Sequence, residues 1–371
     1  MTEELTLCFK SMIKNRTFSK PLRILSIDGG GIRGLIPALV IEYLEKHLKG
    51  PIYKYFDFFA GTSTGGILTL GLLTRHPKHR NRPYSGSELI RLYREQASHI
   101  FSGSLGGMHP ASGIENVLSK YFSNVSFEKL LKPCLIASYK LGETSAERIP
   151  DKLKPLSNYS ENLNIPPQEH FFISKYKNYE YLVRDVARAT SAAPTYFPTA
   201  TIVPQNKPDV VEWLIDGGVF ANNPALFAYA HLIKNGAVYR TLAPGRYGSN
   251  RTTEDVILVS LGTGHYQSKS IIGSTGSLIS GDFKNSKTWG KIGWAKPATE
   301  IMFDASAHLV HYQLEALFNS TPKNYHRYDI SLEEAISLDD SKNISKIVRL
   351  GNYLVESKAG KLASLARRLK S

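Results

Sequence analysis

The first third of the chain contains short apolar runs, each followed by a stretch in which apolar residues recur with helical spacing. Residues 24–27 form an apolar run typical of a buried strand, and apolar side chains at every fourth position across 35–48 predict a helix. The stretches 57–60 and 67–73 repeat this order of strand and helix. We therefore predict an α/β fold, a three-layer sandwich with a mostly parallel central sheet, flanking helices and functional turns at the carboxyl ends of strands.

The turn between the first predicted strand and helix is rich in glycine. Amide groups at the start of a helix point toward bound negative charge, and glycine lets an oxygen atom approach the backbone closely. We expect this loop to form an oxyanion hole in which the amides of Gly30 and Gly31 are the main donors. The candidate residues are Gly29, Gly30, Gly31, Ile32, Arg33 and Gly34.

The second turn contains a serine with a glycine two positions away on each side. Ser63 lies at the bend between the runs 57–60 and 67–73. This Gly-x-Ser-x-Gly spacing is typical of a nucleophile elbow, in which the serine is strained and small neighbours prevent collisions. Similar runs also occur in ordinary loops. The elbow candidates are Gly61, Thr62, Ser63, Thr64 and Gly65.

The glycine loop alone would also fit a nucleotide-binding protein. Gly29, Gly31 and Gly34 have the spacing of the dinucleotide fingerprint, which would indicate a nicotinamide or flavin enzyme. That fingerprint expects a second strand with an acidic end about 20 residues beyond the loop, and here that interval is predicted to be helical. A Walker A loop is excluded because Leu35 occupies the position of its lysine.

A serine hydroxyl becomes a good nucleophile only when a base takes its proton, and Asp216 is the best candidate for that base. It ends the apolar run 211–215 and precedes two glycines, at a predicted strand end where the backbone turns sharply. Burial among such neighbours would raise the pKa of the carboxyl group and make it a better base. Alternatively, Asp216 caps the turn through its own backbone, as aspartate before glycine commonly does.

In this order, the glycine loop, the serine turn and the Asp-Gly-Gly turn resemble those of patatin-like lipid acyl hydrolases, in particular the plant patatin branch. The resemblance extends over roughly residues 22–356. It includes the segments 81–84, 189–198, 260–264 and 304–307. It departs mildly at Gly218, where some members have alanine. The resemblance implies a catalytic dyad of Ser63 and Asp216 with an oxyanion hole in the glycine loop, including Arg33, and no cofactor or metal ion.

The resemblance implies a serine lipid acyl hydrolase of phospholipase A type, which cleaves fatty-acyl esters of phospholipids or galactolipids through an acyl-enzyme. Two alternatives stay open. One is a membrane-degrading phospholipase effector activated by cyclic nucleotides, as in some bacterial relatives. The other is an esterase for soluble esters with a triad of Ser63, Asp216 and His265, an order that matches the α/β-hydrolases. A catalytically silent binding module is disfavoured because the serine and the aspartate are both present.

Length and composition agree with one domain, and the resemblance implies a catalytic domain at 22–356, which leaves an N-terminal extension at 1–21 and a basic amphipathic tail at 357–371. The extension lacks the apolar core of a secretion signal, and no apolar run approaches about 18 residues. The chain has 2 cysteines, which fits a reducing compartment, and no cluster with metal-site spacing. We therefore expect a cytoplasmic protein with peripheral membrane association.

The segments 103–108 and 289–294 combine glycine with apolar side chains and are candidate lids.

The charge balance indicates an anionic partner. The chain has 46 Lys and Arg residues against 32 Asp and Glu residues, a formal net charge of +14, so its surface should attract anionic phospholipids. Basic residues concentrate at 75–82 and in the tail, where Leu362, Leu365 and Leu369 share one helical face. That face would either lie in a membrane surface or pack on the domain. The chain contains no motif of a nucleic-acid-binding domain, and a regulatory nucleotide and self-association are left open.

Overall fold

A computed structural model describes residues 20–79, 81–103, 108–145, 170–175, 180–242, 246–248, 251–266, 291–334 and 336–371. The strands are β1 (Leu22–Ile27), β2 (Phe58–Thr62), β3 (Cys134–Ser145), β4 (Phe171–Ile173), β5 (Ala200–Ile202), β6 (Val210–Asp216), β7 (Val256–Leu261), β8 (His265–Tyr266), β9 (Tyr325–Tyr328) and β10 (Ser331–Leu332). The α-helices are α1 (Leu35–Leu48), α2 (Thr64–Leu73), α3 (Gly86–Ile100), α4 (Ala111–Phe122), α5 (Val183–Thr190), α6 (Gly218–Ala221), α7 (Ala225–Asn235), α8 (Lys291–Leu317), α9 (Ile344–Ser357) and α10 (Ala359–Lys370).

The main sheet has the strand order β5-β6-β3-β2-β1-β7-β9, and β4 pairs with β3. The pairs from β3 through β2, β1 and β7 to β9 are parallel, whereas β4, β5 and β6 join in antiparallel pairs. From the central β1 the chain passes to β2 and β3 on one side and later to β7 and β9 on the other. Such a reversal of strand order leaves a crevice at the carboxyl ends of the strands, where ligands of α/β proteins bind.

The side chains of β1 explain why both faces of the sheet are covered. Leu22 and Ile24 contact one core with α7 and the carboxyl end of α8, while Leu25 and Ile27 contact a second core with α1 to α5, α9 and α10. All four side chains are buried. Successive residues of a strand point to opposite faces, so a strand with large apolar side chains on both faces needs a helical layer on each side. The predicted three-layer sandwich with a mostly parallel central sheet is confirmed.

The predicted strands and helices of the first third are present, one helix with the expected bounds and the others with ends shifted by a few residues, whereas one stretch predicted as a loop contains a strand and the start of a helix. The helix at 35–48 is confirmed as α1, and α2 begins at Thr64, directly after the candidate nucleophile. The polar and mixed composition of 265–297 predicts a surface loop, but β8 occupies the start of this stretch and α8 begins at Lys291. Pro297 lies inside α8, although proline usually ends a helix. The part of the helix beyond the proline packs on the domain, where Phe303 is buried in the core.

The leucines of the tail pack on the domain. Leu362, Leu365 and Leu369 lie on α10 and are at most 1% exposed. The helix contacts α1, and Arg23 Nη1 donates a hydrogen bond of 2.6 Å to the Leu369 carbonyl. The interpretation of these leucines as a membrane-facing surface is therefore wrong, while the lysines of the same helix remain exposed.

Candidate active site

Ser63 stands between β2 and α2 in a conformation that few residues other than glycine adopt. Its φ is 52° and its ψ is −124°, as expected for the strained residue of a nucleophile elbow. The Ser63 amide donates to Thr190 Oγ1 at 2.8 Å, and that hydroxyl donates to the Ala137 carbonyl at 2.5 Å. The end of α5 and strand β3 therefore hold the backbone of the serine in place.

The residues around Ser63 leave no space for larger side chains. A Cβ atom at Gly61 would lie 2.4 Å from the carbonyl oxygen of Gly65, and one at Gly65 would lie 2.2 Å from that of Ile27. Thr62 Oγ1 donates to the Ala221 carbonyl at 2.7 Å, and Thr64 Oγ1 hydrogen-bonds to the Tyr93 hydroxyl. Because β1, β2 and α2 approach one another so closely, only glycine fits on either side of this turn.

Asp216 lies at the end of β6, and strand pairing brings it to the elbow. Asp216 pairs with Ser138 in β3, one position after the pairing of Ala137 with Thr62. The side chain is fully buried, and its Oδ1 accepts a hydrogen bond of 2.7 Å from the Gly218 amide. The short antiparallel part of the sheet thus places a carboxyl group beside a serine that lies on a parallel strand.

The environment of Asp216 shifts the protonation of its carboxyl group toward neutral pH. Burial raises its pKa to about 7, while hydrogen bonding to Ser63 and to the Gly218 amide opposes the rise. Oδ2 has no hydrogen bond of regular geometry to any described residue. The contact between the two side chains is therefore loose in the free protein, and such contacts commonly tighten when substrate binds.

The glycine loop borders the serine and keeps two amides available. A Cβ atom at Gly29 would lie 3.1 Å from Ser63 Cβ. The amides of Gly29 and Ile32 donate to carbonyls of other loops at 3.0 and 2.8 Å, whereas within the described part of the chain those of Gly30 and Gly31 have no such acceptor. Unpaired amides next to a nucleophile can hold the negative oxygen that forms during attack on a carbonyl.

Arg33 belongs to the loop, but its side chain points to a different cluster. Nη1 donates to the Tyr266 hydroxyl at 3.0 Å, and the guanidinium lies 5.3 Å from the centre of that ring. The same hydroxyl contacts Glu300 of α8 at 3.4 Å. Burial lowers the pKa of Arg33, but Tyr266, Glu300 and Asp304 more than offset this, so the net pKa is raised. The charged side chain therefore ties the loop to β8 and α8.

A narrow apolar pocket opens beside Ser63. Its free volume is about 40 Å³, and beyond the catalytic turns it is lined almost entirely by hydrophobic side chains. These are Ile67, Tyr93, Ile100, Phe101, Ile114, Ala193, Tyr196, Phe197 and Leu338. The space admits only a few water molecules, so a longer apolar ligand would require these side chains to move apart.

His265 contacts a carboxylate other than Asp216. Its Nδ1 lies 3.3 Å from Asp329 Oδ2, and this hydrogen bond raises the pKa of the imidazole. Asp329 also pairs with Arg327 at 2.7 Å. Among the described residues, the carboxyl group beside Ser63 is that of Asp216, and His265 pairs with Asp329 instead of completing a triad.

Two residues that support the glycine loop were missed in the sequence. Thr263 Oγ1 donates to the Gly29 carbonyl at 2.6 Å, and Asn222 Nδ2 donates to the same oxygen at 3.4 Å. Thr263 lies just after the end of β7, whereas Asn222 directly follows the short helix α6. A polar residue at the carboxyl end of a strand in a predicted parallel sheet is the signal that could have identified Thr263.

Within the described residues, neither candidate lid forms a loop over the site. Of the segment 103–108, only Gly103 and Met108 fall within the described residues. The segment 289–294 is described from Lys291, where it forms the first turn of α8, so its interpretation as a loop is wrong from that residue onward.

In the portion of the chain that is described, no group of three or more His, Cys, Asp and Glu side chains could hold a metal ion.

Known proteins with similar sequences point to one family. The family described as Patatin-like phospholipase matches residues 25–229. The chain is 31% identical over 381 residues to Patatin-like protein 2 of Arabidopsis thaliana, covering 94% of this chain and 86% of that protein. It is 30% identical over 389 residues to Patatin-like protein 2 of Oryza sativa subsp. indica, covering 92% and 86%.

Among solved structures, VipD from Legionella pneumophila is similar with a TM-score of 0.38 and 10% identity, over 91% of this chain and 67% of that one. The sequence matches extend through the glycine loop, the serine turn and Asp216. The chain belongs to the patatin-like phospholipase family.

Proposed function

We propose that this protein is a serine lipid acyl hydrolase of phospholipase A type, acting on fatty-acyl esters of phospholipids or galactolipids. Family membership indicates lipid acyl hydrolase activity in general. The observation that carries the finer proposal is the buried Asp216 beside Ser63, at an apolar pocket bordered by unpaired amides.

In the proposed reaction Ser63 Oγ attacks the ester carbonyl while Asp216 accepts its proton. The electron pair of the C=O bond moves to the oxygen, where the amides of Gly30 and Gly31 stabilise the charge. Collapse of this intermediate expels the lysolipid alkoxide, which takes the proton from Asp216, and leaves an acyl-enzyme. Asp216 then deprotonates a water molecule that attacks the acyl group, and the fatty acid leaves as the proton returns to Ser63.

The activity should depend on the ionisation of Asp216. Only the carboxylate accepts a proton, so we expect kcat/KM for a soluble ester to rise with pH through a midpoint of about 7, the raised pKa of this group. Burial also raises the pKa of Asp28 to about 7, so the profile of Asp28→Asn serves as the control and should keep the same midpoint. A pH profile without a transition near neutrality would contradict this assignment.

The apolar pocket is proposed to hold the fatty-acyl chain. Ile114 of α4 is buried and lines it, so Ile114→Phe should fill the free space and lower hydrolysis of long-chain esters at least about tenfold relative to a butyryl ester. Leu118→Phe places the same bulk in the core on the same helix, outside the pocket, and should affect both esters alike. Equal losses for both esters in Ile114→Phe would argue against this role of the pocket.

Two features support action at a membrane surface. The net charge of +14 favours anionic lipid, and one side of α8 exposes large apolar side chains, including Leu309 at 58% and Tyr312 at 71%. Exposed apolar area of this kind suits contact with lipid or with another protein. None of the described helices combines the length and apolarity needed to cross a bilayer. We therefore propose a cytoplasmic enzyme that associates peripherally with anionic membranes.

The direct test is a panel of phospholipids and galactolipids with the purified protein, in which released fatty acid is measured against Ser63→Ala as the blank. We expect release from at least one lipid class. Turnover of soluble esters without release from any lipid would support the esterase alternative instead. Parallel assays with cyclic nucleotides test the activated-effector alternative, which requires lipid hydrolysis to increase strongly on their addition.

A further inference from the structure

We propose that the groove between β9 and α10 binds an anion that carries a phosphate group. This site lies outside the pocket beside Ser63, and it explains basic residues that the catalytic reaction does not use. The proposal is independent of which lipid the enzyme hydrolyses.

The groove has the size of a small-molecule site and a strongly basic lining. Its volume is about 410 Å³, within the usual range for ligand pockets. The lining contains no acidic side chain. The basic residues that line it are Lys323, His326, Arg327, Lys361 and Arg368. A concave surface with charges of one sign attracts and concentrates ligands of the other sign.

No carboxylate of the described residues neutralises three of these cations, which are Lys323, Lys361 and Arg368. Arg327 is already paired with Asp28 and Asp329, each at 2.7 Å. Lys323 and Lys361 form no ion pair with any residue that the structure describes. Arg368 instead donates hydrogen bonds to the Lys323 carbonyl and to the Asn324 side chain, which uses only some of its five N–H donors.

This arrangement brings like charges together, which costs free energy unless a counterion offsets it. The hydrogen bonds of Arg368 hold α10 against the residues that precede β9, so Lys361 of the helix and Lys323 of the loop face one groove. A phosphate group carries up to two negative charges and several acceptor oxygens. It therefore matches a cluster of ammonium and guanidinium groups better than a single carboxylate does.

Two further groups in the groove have unused polar atoms. His326 Nε2 is buried and makes no hydrogen bond to a described residue. Burial and the charge of Arg368 lower the pKa of this imidazole to about 4, so the ring is neutral, and a side-chain rotation that exposes Nε2 would let it accept a hydrogen bond from a protonated phosphate oxygen. In addition, β9 is the edge strand of the described sheet, and the outer side of an edge strand offers unpaired amides.

The phosphate could belong to a lipid headgroup or to a soluble molecule, and two probes distinguish these sources. Binding of inorganic pyrophosphate is measured by calorimetry, and binding to phosphatidylcholine vesicles with and without phosphatidic acid is measured by sedimentation. The groove variant is Lys323→Ala with Lys361→Ala. The control is Lys54→Ala with Lys234→Ala, which removes the same charge from two exposed lysines outside the groove.

We expect the groove variant to bind pyrophosphate at least about tenfold more weakly than the parent, and the control to stay within about twofold. If pyrophosphate does not bind but the groove variant alone loses binding to phosphatidic acid vesicles, the site is supported with a lipid headgroup as its source. If neither probe distinguishes the groove variant from the control, the proposal is overturned. Hydrolysis of a soluble ester should be unchanged in both variants, because none of these lysines lines the pocket beside Ser63.

Discussion

Replacing Ser63 by alanine should abolish fatty-acid release from phospholipid and covalent labelling by a fluorophosphonate. Loss of the nucleophile in serine hydrolases lowers kcat by about 10⁶, and Ser63 has both the strained backbone and the neighbouring carboxyl group that this role requires. Labelling followed by mass spectrometry of the modified peptide provides the measurement. Ser63→Ala removes only a hydroxyl group, so the folded state should be retained, which circular dichroism can verify.

Ser191 provides the matched control for this prediction. It also lines the apolar pocket, and like Ser63 it is 6% exposed. Its hydroxyl, however, donates to the Ala187 carbonyl at 2.7 Å, within its own helical turn. Ser191→Ala should therefore keep labelling, and its activity should stay within about tenfold of the parent. If Ser63→Ala still carries the label, the nucleophile has been assigned to the wrong residue.

Replacing Asp216 by asparagine should lower kcat by a factor of about 10³ to 10⁶, the range seen when the base of a serine hydrolase is removed. Asparagine retains an oxygen that can accept the Gly218 amide hydrogen bond but cannot take a proton. His265→Ala should remain within about tenfold of the parent, because His265 contacts Asp329 and not the dyad. Steady-state rates on a soluble ester test both variants, and the reverse ranking would favour the triad.

A stability measurement separates chemistry from folding in this variant. The folded-state pKa of Asp216 is raised, so its protonated form contributes stability at low pH that is lost as the pH rises through about 7. Above that pH the native protein contains a buried charge that Asp216→Asn lacks. The variant should therefore melt no lower than the parent at alkaline pH, and a large drop in melting temperature would indicate that the loss of activity comes from unfolding.

The local elements could be predicted because their signals lie within short windows. The apolar spacing of α1 and the glycine-flanked turn at Ser63 each depend on fewer than about 15 consecutive residues. The position of Asp216 relative to Ser63 could not be derived in this way. It depends on the pairing of β6 with the second half of β3, a contact between distant segments that no local pattern encodes. The strand-end position of Asp216 made it a candidate, and the family resemblance paired it with Ser63.

The direction in which side chains point was the property that the sequence predicted least well. Arg33 is part of the glycine loop in sequence, yet its guanidinium reaches Tyr266, 233 positions later in the chain. Leu362, Leu365 and Leu369 form a regular amphipathic pattern that suits a membrane surface and a protein core equally well, and burial against the domain decides between them. In both cases the outcome depends on tertiary partners that local periodicity does not identify.

The central position of β1 has a consequence for protein synthesis. The Ser63 turn leaves the ribosome early, but β1 must wait for β7 before its second edge is paired, and the glycine loop that follows it is held by Thr263 and by the Leu338 carbonyl. Chains emerge at about 5–20 residues per second, so many seconds separate the proposed nucleophile from the last support of the proposed oxyanion hole. A nascent chain would thus carry the serine without a working site, and cellular lipids would meet an active hydrolase only after residue 338 has been made and folded.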